Sequence, residues 1–157
     1  MKRLANLAAA RHQQWHVVDA RGQHVGRLAA RIAPVLVGKH KPIWEPHRHE
    51  HGDFVVVVNA AEVHFTGRKW DQKIYYRHTG YPGGLKMRTA REVHRRKPGE
   101  VLRKAISGML PKNKLRETFL NRLKIYPAED HPHEAQLASQ RAAYSPLDDM
   151  PPPFTWY

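Results

Sequence analysis

Residues 54–65 read FVVVVNAAEVHF, and this stretch decides the fold. Its first five residues form a continuous apolar run, most of it β-branched. Such a run is typical of a strand that is buried on both faces, as in a parallel sheet covered by helices. The last residues, Val63 to Phe65, indicate a second short strand. We therefore expect a sheet with this segment inside it.

The segments before this run have the pattern of a strand followed by a helix. WHVVDA (15–20) indicates a short strand, RGQHVG turns the chain, and RLAARIAPVLV (27–37) has the apolar spacing of a helix that packs on a sheet. Pro34 lies inside that helix, and we expect it to kink or shorten the helix. KHKPIWEPHRHEHGD (39–53) is rich in breakers and charge, which predicts a long ordered loop.

The segments after this run are predominantly helical. Thr66 to Gly84 is predicted to be mostly loop. Thr89 can cap a helix that begins TAREVHRR, and a second helix is expected to begin near Pro98. LRETFLNRL (115–123) indicates a third helix and KIYP (124–127) a last strand. The overall pattern is α/β.

Length and composition limit the class of protein. The chain has 157 residues and 41% hydrophobic content, enough to bury one core as a single domain with tails. There is no run of about 18 apolar residues, so we expect no membrane insertion. The chain has no cysteine, which excludes a disulfide framework, a zinc ribbon and a cysteine nucleophile.

The charge is large and unevenly distributed. The net charge of +13 divides into +5 for residues 1–71, +12 for 72–126 and −4 for 127–157. The interval from Gln72 to Arg91 contains no acidic residue. A solvated helix face would interleave both signs, so this distribution favours a polyanionic partner, nucleic acid above all.

The acid-free interval contains YYRHTGYPGGLKMRT (75–89), which suits RNA in three ways. Its arginines and lysine can pair with phosphates. Its glycines remove the Cβ atoms that would hold the backbone away from RNA, and Pro82 limits the entropy lost when the segment becomes ordered. Its tyrosines can stack on bases, which is worth roughly 1–3 kcal/mol per base. An extended chain points Tyr75 and Tyr76 in opposite directions, so we expect one of them to pack beneath the loop.

Two other segments place cations beside a backbone breaker at the end of an apolar helix: GKHKP (38–42) and MLPKNK (109–114). For Lys39 and His40 there is an alternative, because cations near a helix C-terminus interact favourably with the last carbonyls without any RNA. Lys112 and Lys114 lie beyond Pro111 and outside the helix, so RNA binding is the stronger interpretation there.

Six segments in consistent order resemble the universal large-subunit ribosomal protein thirteen family, in its bacterial and organellar form. They are VVDARGQHVGRLAARIA, GKHKPIWEPH, GDFVVVVNA, TGRKWDQKIYYRHTGYPGGLK, GMLPKNKL and LKIYPAEDHPHEAQ. The resemblance implies a three-layer α/β fold with a small, mostly parallel sheet flanked by helices. It also implies a structural protein that binds large-subunit ribosomal RNA, supports early subunit assembly and translation, and sits as a monomer among neighbouring large-subunit ribosomal proteins.

This resemblance divides the chain into a basic extension (1–14), the ribosomal protein thirteen domain (15–136) and a C-terminal tail (137–157). We expect residues 127–157, which carry a net charge of −4, to lie on a neighbouring protein or on the particle surface rather than on bare RNA. The predicted RNA-contacting residues are Arg27, Lys39, His40, Lys41, Arg68, Lys69, Lys73, Tyr75, Arg77, His78, Tyr81, Gly83, Gly84, Lys86, Arg88, Lys112, Asn113 and Lys114.

Signals of an enzyme are weak, and we expect no catalytic residue, cofactor or metal. The strand-turn-helix around Gly22 and Gly26 lacks the spacing G-x-G-x-x-G of a dinucleotide site. HRHEH (47–51) has neither the catalytic spacing H-E-x-x-H nor a cysteine partner. The resemblance implies a cysteine where His51 stands, so this loop departs from the family pattern at that position. Asp19, Asp53 and Asp71 form no recognisable constellation.

The N-terminus bears on the compartment. MKRLANLAAARHQQ (1–14) is basic, free of acids and rich in alanine and leucine, which resembles a mitochondrial targeting segment. We therefore expect the mitochondrial matrix, with the bacterial cytoplasm as the alternative. Two other functions stay open at this point: an extraribosomal RNA-binding regulatory protein, and a nucleotide-dependent enzyme.

Overall fold

A computed structural model describes residues 13–138. Its centre is a parallel three-stranded sheet of β1 (Trp15–Asp19), β2 (Phe54–Val58) and β5 (Leu123–Ile125), in the order β1-β2-β5. Helices flank this sheet in a three-layer α/β arrangement, as predicted. Most of the predicted extension (1–14) and nearly all of the tail (137–157) lie outside the described residues.

The apolar run at 54–58 is the central strand of this sheet. Val55, Val56 and Val57 are fully buried because β2 is paired on both edges and covered on both faces. The second strand predicted at Val63 to Phe65 is wrong. Asn59 adopts a left-handed conformation (φ 55°), and a 3₁₀ helix follows at Ala60–Glu62. Only an isolated parallel bridge between His64 and His24 is formed there.

Helix α1 (Val25–Val37) follows β1 and packs on the sheet. It continues through Pro34, so the expected shortening did not occur. Val35, Leu36 and Val37 are buried, and this burial offsets the hydrogen bond that proline cannot donate. The helix ends at Gly38, whose left-handed conformation (φ 88°) lets its N–H donate to the carbonyls of Pro34 and Val35.

The helices in the C-terminal half start within one residue of the predicted positions, but the third ends earlier than predicted, because Leu123, expected in that helix, begins β5. Helix α3 (Ala90–Arg96) is capped by Thr89, whose hydroxyl accepts a hydrogen bond from the N–H of Glu92 at 3.3 Å. Helix α4 (Pro98–Met109) begins at its proline and packs against α1. Helix α5 (Arg116–Asn121) leads directly into β5.

The prediction that Thr66 to Gly84 is mostly loop is partly wrong. This segment contains the short helix α2 (Lys69–Gln72) and the strand β3 (Ile74–His78), which pairs antiparallel with β4 (Leu85–Thr89). The breakers at 80–84 form only the turn of this hairpin. A last short helix, α6 (Glu134–Ala138), was not predicted either. Within 13–138, no helix has the length and apolar character needed to cross a bilayer.

Candidate nucleic-acid interface

One face of the β3–β4 hairpin is cationic. Arg77 lies opposite Lys86 in the register, and Arg88 lies opposite Tyr75. Residues directly opposite each other share a face of the sheet, and so do residues two positions apart along a strand. The three cations therefore lie on one face of the hairpin, and all three are exposed. The chain segment that carries them has no carboxylate to neutralise them.

The opposite face of the hairpin is apolar and exposed. It carries Ile74, Tyr76, Leu85 and Met87, which are 42%, 63%, 54% and 60% exposed. His78 lies on the same face, opposite Leu85. The hairpin is thus amphipathic, with exposed cations on one side and exposed apolar side chains on the other.

The glycines of the segment form the turn of this hairpin. Gly80 and Gly83 have positive φ angles of 92° and 71°. A Cβ atom on Gly84 would overlap the hydroxyl of Thr79 and lie 2.7 Å from the carbonyl oxygen of Tyr81. The N–H of Gly84 donates to that same carbonyl at 2.9 Å. The glycines are therefore needed by the turn itself. Close approach of RNA to Gly83 and Gly84 stays a prediction.

The two adjacent tyrosines point to different environments, as expected. Tyr76 is exposed, whereas Tyr75 is half-buried and packs against the hydrophobic core. The ammonium groups of Lys73 and Lys104 lie 5.4 and 4.6 Å from the centre of the Tyr75 ring, within cation–π range. Burial, together with the charge of Glu100, raises the pKa of the Tyr75 hydroxyl. Tyr81, in the turn, is 77% exposed.

The segment GKHKP does not present its cations as predicted. Lys41 is buried, and its ammonium contacts Oδ1 of Asp53. His40 is largely buried, with Nε2 at 2.9 Å from Oδ2 of the same carboxylate. Both residues are therefore removed from the contact surface, because a desolvated group paired with a carboxylate cannot also meet a phosphate. Lys39 is exposed and lies over the ring of Trp44 at 5.2 Å.

Asp53 is the centre of this buried cluster, which the sequence did not reveal. Besides Lys41 and His40, it binds Nε2 of His16 at 2.9 Å and the N–H of Gln14 at 2.9 Å. Burial alone would raise the pKa of Asp53, but these hydrogen bonds hold that pKa well below its usual value. The carboxylate is thus ionised and fully surrounded by donors.

The same cluster has the composition of a metal-ligand set. One ligand atom from each of His16, His40 and Asp53 lies within 4.8 Å of the others. The ammonium of Lys41 is already in contact with the carboxylate, and a cation at that position repels a metal ion. We interpret the cluster as a buried ion-pair network that joins β1, the loop after α1 and the start of β2.

Arg122 is a second structural residue that sequence reasoning missed. It is buried, and its guanidinium donates to the carbonyl oxygens of Leu36 and His49, joining the end of α1 to the loop before β2. Burial lowers its pKa, and the nearby charge of Asp53 opposes that shift. Gly52 makes room for this side chain, because a Cβ there would overlap both Arg122 and the Leu36 carbonyl.

The remaining predicted residues are distributed over the surface. Lys112, Asn113 and Lys114 are exposed between α4 and α5. The exposed cations Arg27, Arg68, Lys69 and Lys73 lie near the start of α1 and around α2. In HRHEH, His47 and His49 are exposed but His51 is buried, so the three histidines do not face one common site.

Comparison with known proteins identifies the family. A family model described as ribosomal protein L13 matches residues 13–132, which is most of the chain. The chain belongs to the ribosomal protein L13 family. Every predicted contact residue, the Asp53 cluster and Arg122 lie inside the part that matches the L13 model.

Curated bacterial relatives agree with the L13 match. Large ribosomal subunit protein uL13 of Thermosipho africanus is 54% identical over 124 residues, covering 79% of this chain and 83% of the relative. The uL13 protein of Syntrophobacter fumaroxidans is 51% identical over 136 residues, covering 87% and 95%. That of Bacillus cytotoxicus is 51% identical over 124 residues, covering 79% and 85%. The similarity thus spans most of the length of each of these three relatives.

Proposed function

We propose that this protein is a structural constituent of the large ribosomal subunit that binds ribosomal RNA and supports early subunit assembly and translation. The observation that carries the proposal is the cationic face of the hairpin, where Arg77, Lys86 and Arg88 are exposed in an acid-free segment. The relatives that support it carry the name of a large-subunit protein.

The chemistry of this face fits RNA. A-form RNA has a deep, narrow major groove, so a protein contacts mainly phosphates, 2′-hydroxyls and unstacked bases. Three cations held on a short antiparallel ribbon match a line of phosphates, and each contact releases counterions. The exposed turn residue Tyr81 adds a flat side chain for stacking.

The apolar face of the hairpin suits a different neighbour. Its exposed side chains, Ile74, Tyr76, Leu85 and Met87, offer phosphates no positive charge. We assign this face to a neighbouring large-subunit protein, with the chain present as one copy in the particle. Cross-linking from Met87 in purified large subunits is expected to capture a ribosomal protein, and capture of RNA alone would contradict the assignment.

Two finer points stay predictions. The predicted location in the mitochondrial matrix depends on residues 1–14. Import into isolated mitochondria of a reporter fused to that segment tests this prediction. The curated relatives described above are bacterial, which agrees with the alternative of the bacterial cytoplasm. No catalytic role is proposed, since the family is one of ribosomal proteins.

Sedimentation of cell lysates tests the main proposal. We expect the full-length protein to follow the large subunit in near-stoichiometric amount by quantitative mass spectrometry, at both low and high salt. An extraribosomal regulator would instead remain at the top of the gradient. That result would overturn the proposal in favour of the alternative function.

A further inference from the structure

A cavity of about 590 Å³ lies beside the hairpin, and Tyr75 of β3 lines it, whereas Arg77, Lys86 and Arg88 do not. Its wall comes from four segments: the start of α1, residues 64–66, the approach to β3, and the last turns of α4. This volume is in the range of pockets that hold small molecules. His24, at the end of the turn between β1 and α1, lines one side of it.

One part of the wall is strongly cationic. Arg27, Lys69, Lys73 and Lys104 all line the cavity, and they come from three different segments of the chain. None of the described lining residues is acidic. Lys104 has Glu100 at 3.9 Å, a loose and largely solvated pair that neutralises only part of this charge. The cavity therefore attracts an anion.

Another part of the wall is apolar and aromatic. It includes the buried Val25, the partly buried Phe65 and Ala105, and Met109. The ring of Phe65 is held by an edge-to-face contact with Trp70, at 4.8 Å between centroids. Tyr75 lies between the two parts, beneath the ammonium groups of Lys73 and Lys104. An inorganic anion would leave the apolar wall unused, and an apolar ligand would leave the cations unused.

We propose that this cavity binds a single nucleotide unit, with its base against the apolar wall around Phe65, Ala105 and Met109 and its phosphate among the lysines. This inference rests on the proposed function, which supplies RNA as the source: one nucleotide extruded from the stack enters the cavity while the hairpin holds the backbone nearby. A free mononucleotide has the same chemistry, and the experiment separates the two sources.

Two helical glycines provide a matched pair of variants. Gly26 lines the cavity, and a Cβ there meets no atom within 4 Å, so Gly26→Leu fills the space without removing a charge. Gly108 in α4 has equally open surroundings but is not a lining residue, so Gly108→Leu is the control. Neither glycine has a positive φ, so both substitutions leave the backbone unstrained and increase helix propensity alike.

The first measurement is affinity for rRNA extracted from the cognate large subunit, across a salt series. Relative to G108L, we expect G26L to bind at least about fivefold more weakly, the equivalent of ~1 kcal/mol of stacking, with the salt slope lowered by about one phosphate contact. If the unmodified protein does not bind this RNA, the proposed function fails. The mononucleotide titration below then decides whether the cavity binds a nucleotide. If RNA binds and the two variants are equal, the RNA source is overturned.

The second measurement uses the unmodified protein and so does not depend on the folding of a variant. Ultraviolet cross-linking of assembled subunits should join a nucleotide to Phe65, Tyr75 or Met109. In the free protein, adenosine and uridine monophosphates should shift the NMR resonances of Gly26 and Ala105 more than inorganic phosphate does. Mononucleotide shifts without an RNA cross-link assign the site to a free nucleotide. Equal shifts from phosphate alone, without a cross-link, overturn the proposal.

Discussion

Nε2 of His16 lies 2.9 Å from Oδ2 of Asp53, and both side chains are almost completely buried. These residues stand 37 positions apart in the chain, one on β1 and the other just before β2. The contact joins the two paired strands at the edge where β2 begins. With Lys41 and His40 on the same carboxylate, it also fixes the loop that follows α1. Asp53 therefore has a structural role that a surface aspartate could not have.

Replacing Asp53 by asparagine should destabilise the fold strongly. The amide keeps the shape but removes the negative charge that the buried ammonium of Lys41 contacts, and breaking such a buried pair typically costs about 3–5 kcal/mol. Urea unfolding at neutral pH measures the loss. Asp71→Asn is the control, because Asp71 is exposed and its pair with Arg91 is worth little. Equal stability of the two variants would contradict the role of the cluster.

A comparison of the unmodified protein with Asp53→Asn also gives a prediction of how stability depends on pH. The pKa of Asp53 is lower in the folded state than its ordinary value of 3.8. The ionised Asp53 carboxylate therefore contributes its full stabilisation to the fold above pH 3.8. That stabilisation is lost progressively as the pH falls below this value. The stability difference between the unmodified protein and Asp53→Asn should shrink in acid. A difference that grows between pH 6 and pH 3 would show that another group dominates.

Removing the hairpin cations should change the salt dependence of RNA binding. Arg77, Lys86 and Arg88 changed together to alanine should lower the slope of log affinity against log salt by up to about 3 × 0.7–0.9. Folding should not be weakened, since all three side chains are exposed and the facing pair Arg77 and Lys86 repels. The measurement is RNA affinity at several salt concentrations, with thermal melting of the free protein.

A control with the same change in net charge is available for this variant. Arg21, Arg48 and Arg91 are exposed, and each is already paired with a carboxylate: Glu62, Glu45 and Asp71 respectively. Their replacement by alanine removes three positive charges but should leave the slope nearly unchanged. Equal slopes in the two triple variants would indicate that binding depends on net charge and not on the hairpin.

Gly84→Ala should disrupt the hairpin turn while sparing the core. Its Cβ would overlap the Thr79 hydroxyl and approach the Tyr81 carbonyl, so the turn must open. Hydrogen exchange should show loss of protection across β3 and β4, with little change in the parallel sheet, because the hairpin is a separate two-stranded sheet. Gly67→Asn, at a positive φ in open space, is the control. Retained protection in Gly84→Ala would contradict the assigned turn.

Arg122→Lys should destabilise the protein by roughly 1–3 kcal/mol, despite conserving the charge. One ammonium cannot reproduce the forked donors that reach the carbonyls of Leu36 and His49, so a buried carbonyl loses its partner. Chemical denaturation measures this loss. Lys124→Arg, on the partly buried strand β5, tests whether any exchange of lysine and arginine has the same effect, and we expect it to be nearly neutral.

The sequence by itself determined the elements whose cause is local. The β-branched run at 54–58 specifies a buried strand, Thr89 specifies a helix start, and Pro98 specifies the next one, because each depends on the conformational preferences of adjacent residues. The charge distribution likewise indicated nucleic acid, since it is a property of composition. The motif order was enough to identify the family.

Only the tertiary structure decided which cations are available. Lys39 and Lys41 are two residues apart, yet one is exposed and the other is neutralised by a buried carboxylate twelve positions away. The register of β3 with β4 places the cations on one face of the hairpin and the apolar side chains on the other. The sequence did not predict this hairpin, because the glycines and the proline of the turn made the segment look like a loop. The cavity assembles four distant segments. Whether a charged side chain is buried and paired depends on residues that are distant in the sequence, so a linear pattern does not predict it.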